Sequence, residues 1–318
     1  MQGRHYLVTG GAGFVGSNVV ERLLTRSASR VTVFDNFASG RREFLEPMLD
    51  GGRLTVIEGD ARDLTALTKA MDGHDAVYHM AANSDIAKAT TQPAIDFDNG
   101  TVLTHNVLEA MRVVGAKRIT FPSGSGVYGE VPPIPLPENY PEMRPVSTYG
   151  ACKLASEALI SAYSFMFGFT GTVCRLANVV GPRQTHGVSY DFVRRLRHDP
   201  SRLRILGNGT QSKPYIHIDD VLDAFDLMEQ TQQGGYECVN VGSADALTVR
   251  EIAEIAMDQL HLQEVEFDFT GGERGWKGDV PLYRLDTTRL RNRGWTPKWT
   301  SRQAVTKAVQ SVMSEWPS

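Results

Sequence analysis

Tyr149 and Lys153 are the two side chains of this sequence best suited to moving a proton together. They stand one helical turn apart at the start of a segment that reads as helix over 148–167, so both project from one face. A free phenol titrates at about 10 and is a poor base at neutral pH; a neighbouring ammonium favours the phenolate and lowers that value. Such a tyrosine can take a proton from a substrate hydroxyl while hydride leaves for a nicotinamide. In a chain with 10 tyrosines the Tyr-x-x-x-Lys spacing alone is weak evidence. Its weight comes from what surrounds it.

The N-terminal segment supplies the nicotinamide reading. Tyr6-Leu7-Val8 reads as a buried parallel strand, followed by Gly10, Gly13 and Gly16 and then by a helix over 14–25 with an apolar stripe at Val15, Val19, Leu23 and Leu24. Gly10 permits a tight turn, Gly13 lets the backbone approach a pyrophosphate, and Gly16 lets the helix pack closely. The helix N-terminus offers unpaired N–H groups and a positive dipole end to phosphate. Asp35 closes the next strand, Val31 to Phe34, where a carboxylate accepts both ribose hydroxyls and repels a 2′-phosphate. The expected cofactor is therefore NAD rather than NADP.

Further apolar strands at 54–57, 76–80, 118–121 and 172–176 alternate with helices, including 99–114 and 148–167. This alternation predicts an α/β fold with a Rossmann-type doubly wound parallel sheet, whose ligands sit at the strands' carboxyl ends. A smaller α/β substrate-binding lobe is expected beyond it. The domain reading gives 1–177, with about 214–241, to an NAD-binding domain, and 178–213 with 242–318 to the lobe. Thr300 and Gln303 fit a capping box for a last helix at about 301–316.

Composition is that of an ordinary globular chain of 318 residues, 41% hydrophobic and 22% charged. A net charge of −4 argues against nucleic acid as a partner. No apolar run approaches the roughly 20 residues of a membrane span, and the start of the chain leaves no room for a signal peptide. The three scattered cysteines fit a reducing cytoplasm and no metal site. His79 and His217 read as structural histidines.

With these motifs in place, the chain resembles the extended short-chain dehydrogenase/reductases of the nucleotide-sugar epimerase/dehydratase type. The resemblance rests on Thr9 to Gly16, Asp35-Asn36, Gly59-Asp60, His79 to Ala82, Asn99 to Thr101, Val127-Tyr128-Gly129, Tyr149 to Lys153, Arg175 to Pro182 and Gly278-Asp279, and it spans essentially the whole chain. Within the family, the 4-epimerases acting on UDP-glucose and UDP-galactose are most similar. The resemblance implies that Gly10, Gly13, Phe14 and Val15 hold the pyrophosphate of NAD. Asp35, Asn36, Ser39 and Gly40 would hold the adenosine ribose, and Asp60 and Ala61 would flank the adenine. Ala81, Asn99, Tyr149 and Lys153 would line the nicotinamide half. Asn178, Val188, Lys213, Tyr215, Arg274 and Tyr283 would bind the nucleotide sugar. The resemblance also implies a homodimer through helices near 100–114 and 150–167.

Two departures matter. Family members carry serine or threonine three residues before Val127-Tyr128-Gly129, bridging the substrate O4 and the tyrosine; here that residue is Gly124. Ser125 is the first substitute for that hydroxyl, and Ser123 or a water the second. Lys213-Pro214 and Trp276 stand where relatives have arginine in phosphate contact, and lysine keeps the charge without the bidentate fork. Dehydratases carry Asp-Glu at the positions of Ser125 and Gly126, so 4,6-dehydration is not expected. Two alternatives stay open. One is 4-epimerisation or decarboxylation of UDP-glucuronate, with Lys88 or Arg183 facing the carboxylate. The other is a non-catalytic NAD(H) sensor.

Overall fold

A computed structural model describes residues 3–26 and 28–315. The chain divides into two compact units, 1–127 with 148–175 and 225–239, and 128–147 with 176–224 and 240–318.

The first unit is built on strands whose centres are runs of mostly apolar residues, the pattern of a sheet covered on both faces. They are β1 (His5–Thr9), β2 (Arg30–Asp35), β3 (Leu54–Glu58), β4 (Ala76–His79) and β5 (Arg118–Gly124), joined by Thr170–Leu176 and Gly235–Val241. From β3 the spatial order is β3, β2, β1, β4, β5, then Thr170–Leu176 and Gly235–Val241. β1 pairs in parallel with both β2 and β4, so the strand order reverses there. In a doubly wound sheet the crevice at that reversal, outside the strands' carboxyl ends, is where ligands bind. The core holds Leu7, Val77, Ile119 and Val173 from the strands against Val107, Leu108, Met111 and Ile160 from the helices.

The helices α1 (Phe14–Thr25) and Thr148–Phe167 occupy the predicted residues. The helix expected from Asn99 begins earlier, at Ala94, and passes through a π-helical turn, Phe97–Val102, before the regular Leu103–Val114. Asn99 lies inside that turn, with its Nδ2 donating to Ile95 O at 3.0 Å. Such turns recur at functional sites because they displace one side chain from the helical register.

The second unit contains short pairings rather than a large sheet. Asn178–Val180 runs parallel to Tyr215–His217, and Arg202–Ile205 parallel to Glu266–Phe269. Helices Val188–His198, Val249–Gln259 and Ser301–Glu315 bury Val193, Leu196, Ile252, Ala256, Val305 and Val309 among them. The Thr300–Gln303 capping box forms, with Thr300 N donating to Gln303 Oε1 at 3.0 Å and Gln303 N to Thr300 Oγ1 at 3.3 Å.

Two segments that the sequence reading gives to the first domain belong to this unit instead. Residues 128–147 are held by Tyr128 OH donating to Asn240 Oδ1 at 2.8 Å and by Pro135–Leu136 pairing with Arg284–Leu285. Residues 214–224 contain Tyr215–His217, which pairs with Asn178–Val180; of the 214–241 stretch, Gly235–Val241 is the strand that joins the seven-stranded sheet. Among the described residues no helix is long and apolar enough to cross a membrane.

Candidate active site

The glycine turn sits where the strand order reverses. Gly10 follows β1 at φ +67, and a Cβ there would meet Ala81 N, after β4, at 2.5 Å. The two loops therefore touch backbone to backbone, which only glycine permits. A Cβ on Gly16 would lie 2.1 Å from Gly10 O, so this glycine seats the helix against the turn itself. The cap of α1 is Gly13, with no side chain on its N–H groups, and Phe14 and Val15 open its first turn. A helix start left bare in this way fits a phosphate.

Asp35 is buried at the end of β2 and already serves the loop around it. Its Oδ2 accepts Ala12 N at 2.9 Å and its Oδ1 accepts Phe37 N at 2.8 Å. A carboxylate has about four lone-pair positions, so capacity for two ribose hydroxyls remains. Asn36 and Ser39 are exposed beside it, and Gly40 is packed against Ala12 and Asp35. Asp60 is gripped by Arg62, which holds its carboxyl down to about 2. The carbonyl of Ala61 accepts Asn106 Nδ2 at 3.1 Å, which fixes that corner. These residues fit a dinucleotide with an unphosphorylated ribose.

Tyr149 and Lys153 share a face as the spacing predicts, with Lys153 Nζ 5.6 Å from the centre of the Tyr149 ring. Lys153 Nζ also donates to Pro122 O at 2.8 Å and lies 4.5 Å above the Phe121 ring. Burial pulls its pKa down to about 8, against the attraction of Glu157. The phenol of Tyr149 does not follow the direction expected from its lysine. Burial, with the carboxylate of Asp96, pushes it up to about 12.

Around the pair the polar groups are closely accounted for. Ser123 Oγ donates to Glu157, whose carboxylate also takes Arg175 Nη2 at 2.7 Å. Ser125, in the turn after β5, is half-buried, and its hydroxyl makes no hydrogen bond among the described residues. A Cβ on Gly124 would meet nothing within 4 Å. His79 is enclosed between Thr9 Oγ1 at 2.8 Å and Thr104 Oγ1 at 3.1 Å, and burial and then Lys153 push it down to about 3.

In the second unit, Lys213 pairs with Asp279, while Arg274 Nη1 donates to Asp279 O at 2.8 Å and Nη2 to Glu130. Tyr215 is buried beside Asn178, Tyr283 and Asp279, and its phenol is raised first by burial. Lys213 and Arg274 thus hold Asp279, and Tyr215 lies beside it with Asn178 and Tyr283 as its other neighbours, while Val188 begins the helix Val188–His198. Trp276 lies over Gly278, whose Cβ would come within 2.5 Å of the indole. Among the described residues no group of three or more His, Cys, Asp or Glu could hold a metal.

Asp96, Asn83 and Glu157 join the site beyond the residues expected from the sequence. Glu157 could have been found, since it continues the Tyr149–Lys153 face by one more turn. Asp96 gives no local signal, because its partner Thr148 is 52 residues away.

Comparison with known proteins identifies the family. Residues 6–242 match the model of the family described as NAD dependent epimerase/dehydratase. The chain is 32% identical to the UDP-glucose 4-epimerase of Mycolicibacterium smegmatis, over 96% of this chain and 97% of that one. A crystal structure of a UDP-galactose 4-epimerase superposes with a TM-score of 0.87 at 36% identity, covering 98% of this chain and 100% of the other. The Thermus thermophilus UDP-glucose 4-epimerase in complex with NAD gives 0.87 at 31% identity, with coverage of 98% and 100%. The bare helix start, the buried acid after β2 and the tyrosine–lysine face are thus found in a chain that belongs to the NAD dependent epimerase/dehydratase family.

Proposed function

We propose that this protein is a nucleotide-sugar 4-epimerase that interconverts UDP-galactose and UDP-glucose. The observation that carries the reading is Tyr149 and Lys153 on one helix face, in the same unit as the glycine turn and Asp35. NAD, when bound, supplies a reversible hydride acceptor for the sugar C4 and a positive charge on its nicotinamide.

Gly10, Gly13, Phe14 and Val15 present backbone to the pyrophosphate, Asp35 accepts the ribose hydroxyls, and Ala81 and Asn99 border the nicotinamide half. Tyr149 takes the O4 proton as the C4 hydride departs and returns it after the sugar has presented its other face. Lys153 favours the ionised phenol during that exchange. Ser125 offers the free hydroxyl nearest to Gly124 in sequence for the O4 contact. Asn178, Val188, Lys213, Tyr215, Arg274 and Tyr283 bind the nucleotide diphosphate portion, Lys213 and Arg274 supplying positive charge. The absence of a carboxyl group at 125 or 126 speaks against removal of water from the sugar.

The protein acts as a homodimer in the cytoplasm. Supporting the dimer, Val113, Phe165 and Met166 are 63%, 93% and 68% exposed on the helices Leu103–Val114 and Thr148–Phe167. Supporting the compartment, all three cysteines are free.

The test is a proton NMR time course of purified protein with UDP-galactose and no added NAD. UDP-glucose should appear, and Tyr149→Phe should abolish turnover while NAD stays bound. An active Tyr149→Phe would sink the assignment.

A further inference from the structure

Asp96 is 1% exposed, yet it is a carboxylate with no cationic partner among the described residues. Its Oδ2 accepts Thr148 Oγ1 at 2.6 Å, and its Oδ1 accepts Asn83 Nδ2 at 2.7 Å. Thr148 is the first residue of the helix that presents Tyr149. Asn83 lies in the loop after β4, where its amide also donates to Asp85 O at 3.0 Å. One side chain therefore ties that loop to the start of the helix. The charge is not needed for the tie, since an asparagine at 96 could accept from Asn83 and donate to Thr148. A buried charge without a counter-ion is costly, and it adjoins the residue expected to ionise.

We propose that Asp96 is a positioning residue of this site, which fixes the start of the helix carrying Tyr149 and sets the charge that faces the phenol. The inference rests on Tyr149 being the proton acceptor. Its negative charge opposes ionisation of Tyr149, and the positive charge of a bound nicotinamide would offset it. A tyrosine kept neutral in the free protein would spare the site a second buried negative charge.

The other charged groups on the elements packed against this helix are committed elsewhere or exposed. Asp98 in the π-turn acts on Arg62. Glu109 is bound by Arg112 and Tyr163. Glu157 is bound by Ser123 and Arg175, and Arg118 by the carbonyls of Glu229 and Gln232. Asp85, Lys88 and His105 are exposed. The Cys152 thiol is raised by its own burial, with Thr101 and Asp96 as its neighbours. Asp96 remains as the charge that acts on the Tyr149 phenol, with Lys153 Nζ 5.6 Å from the centre of its ring.

The test uses full-length protein saturated with NAD and labelled with ¹³C at tyrosine Cζ. The Tyr149 signal is identified by its loss in Tyr149→Phe. In Asp96→Asn the titration of that signal should move to lower pH by about half a unit to one unit, the effect of removing one nearby like charge. The acid limb of kcat/KM with UDP-galactose should move with it. Asp96→Glu, which keeps the charge, should leave the titration near the wild-type position. If Asp96→Asn does not fold, Asp96→Ser takes its place with the same expected shift. An unmoved Tyr149 signal in the neutral variant overturns the proposal, leaving Asp96 a structural tie. Turnover by Tyr149→Phe would remove the epimerase reading instead, and the Tyr149 titration would still decide the charge effect of Asp96.

Discussion

Ser123 and Glu157 are joined side chain to side chain, the hydroxyl at the end of β5 donating to the carboxylate in the middle of the helix Thr148–Phe167. Arg175 closes the same carboxylate from the neighbouring strand, and all three side chains are buried. A buried Arg–Glu pair that loses a member leaves an uncompensated charge, so the arrangement is hard to dismantle. Ser123 is thereby committed to the fold, and Ser125 is left as the serine whose hydroxyl can turn to a ligand.

The two serines should therefore fail in different ways. Ser123→Ala is expected to cost about 1.5–3 kcal/mol of stability, the range for a hydrogen bond to a charged group, with kcat nearly unchanged. Ser125→Ala should leave stability within about 0.5 kcal/mol, as for an unbonded side chain, and should lower kcat. Urea melts and steady-state kinetics on both variants decide it. A large kcat loss confined to Ser123→Ala would assign the hydroxyl contact to the wrong serine here.

Gly124 makes a second expectation. It is not at positive φ, and a side chain there meets open space. Gly124→Ser should fold normally and gain stability by about 0.4–1 kcal/mol, because the unfolded chain loses freedom. If that space lies beside the sugar O4, the added hydroxyl should hold kcat level or raise it. A clear fall in kcat with intact folding would count against that placement.

What could be read in advance follows the range of the interactions. The glycine turn, Asp35 and the Tyr149–Lys153 face are local patterns, and the strands around them are continuous apolar runs. Asp96 meets Thr148 across 52 residues, and Ser123 meets Glu157 across 34, distances over which no periodicity carries information. The placement of residues 128–147 turns on a two-residue pairing, Pro135–Leu136 with Arg284–Leu285, too short to leave an alternating pattern. The direction of the Tyr149 shift was hidden for the same reason: Lys153 is visible one turn away in sequence, whereas the burial that raises the phenol, and after it Asp96, comes from the tertiary fold.

His79 gives the fold a defined weakness in acid. It is wholly buried, and its pKa is pushed down to about 3, first by burial and then by Lys153. An unfolded histidine titrates at about 6.5, so below that pH the unfolded chain takes a proton that the folded one refuses. Stability should fall as pH drops from about 6.5 toward about 3, by on the order of 4 kcal/mol in full. Between pH 7 and pH 5 the share is about 2 kcal/mol. His79→Asn, measured by urea melts at the two pH values, should lose less than wild type by that amount. Equal losses in the two proteins would mean that His79 is not the group responsible.

Lys153 should show the cost of its position most directly. It is 7% exposed, and burial lowers its pKa to about 8 from the value of about 10.4 for a free lysine. Between those values the unfolded chain binds a proton that the folded chain does not, so stability rises with pH across that window. Below it, holding the ammonium in the site costs on the order of 3 kcal/mol. Lys153→Met removes that cost and gives up the charged bond to Pro122 O, worth about 2 kcal/mol, and the contact with the Phe121 ring, worth about 1 kcal/mol. The two sides nearly cancel at pH 7, so the Tm of the variant should lie within about 2 °C of wild type. Relative to wild type the variant should lose ground as pH climbs from 8 toward 10, because wild type gains stability there and the variant does not. Turnover should be lost throughout, with NAD still bound. A site that sacrifices stability for chemistry behaves in this way; a variant clearly less stable than wild type at pH 7 would show instead that the Pro122 and Phe121 contacts outweigh the buried charge.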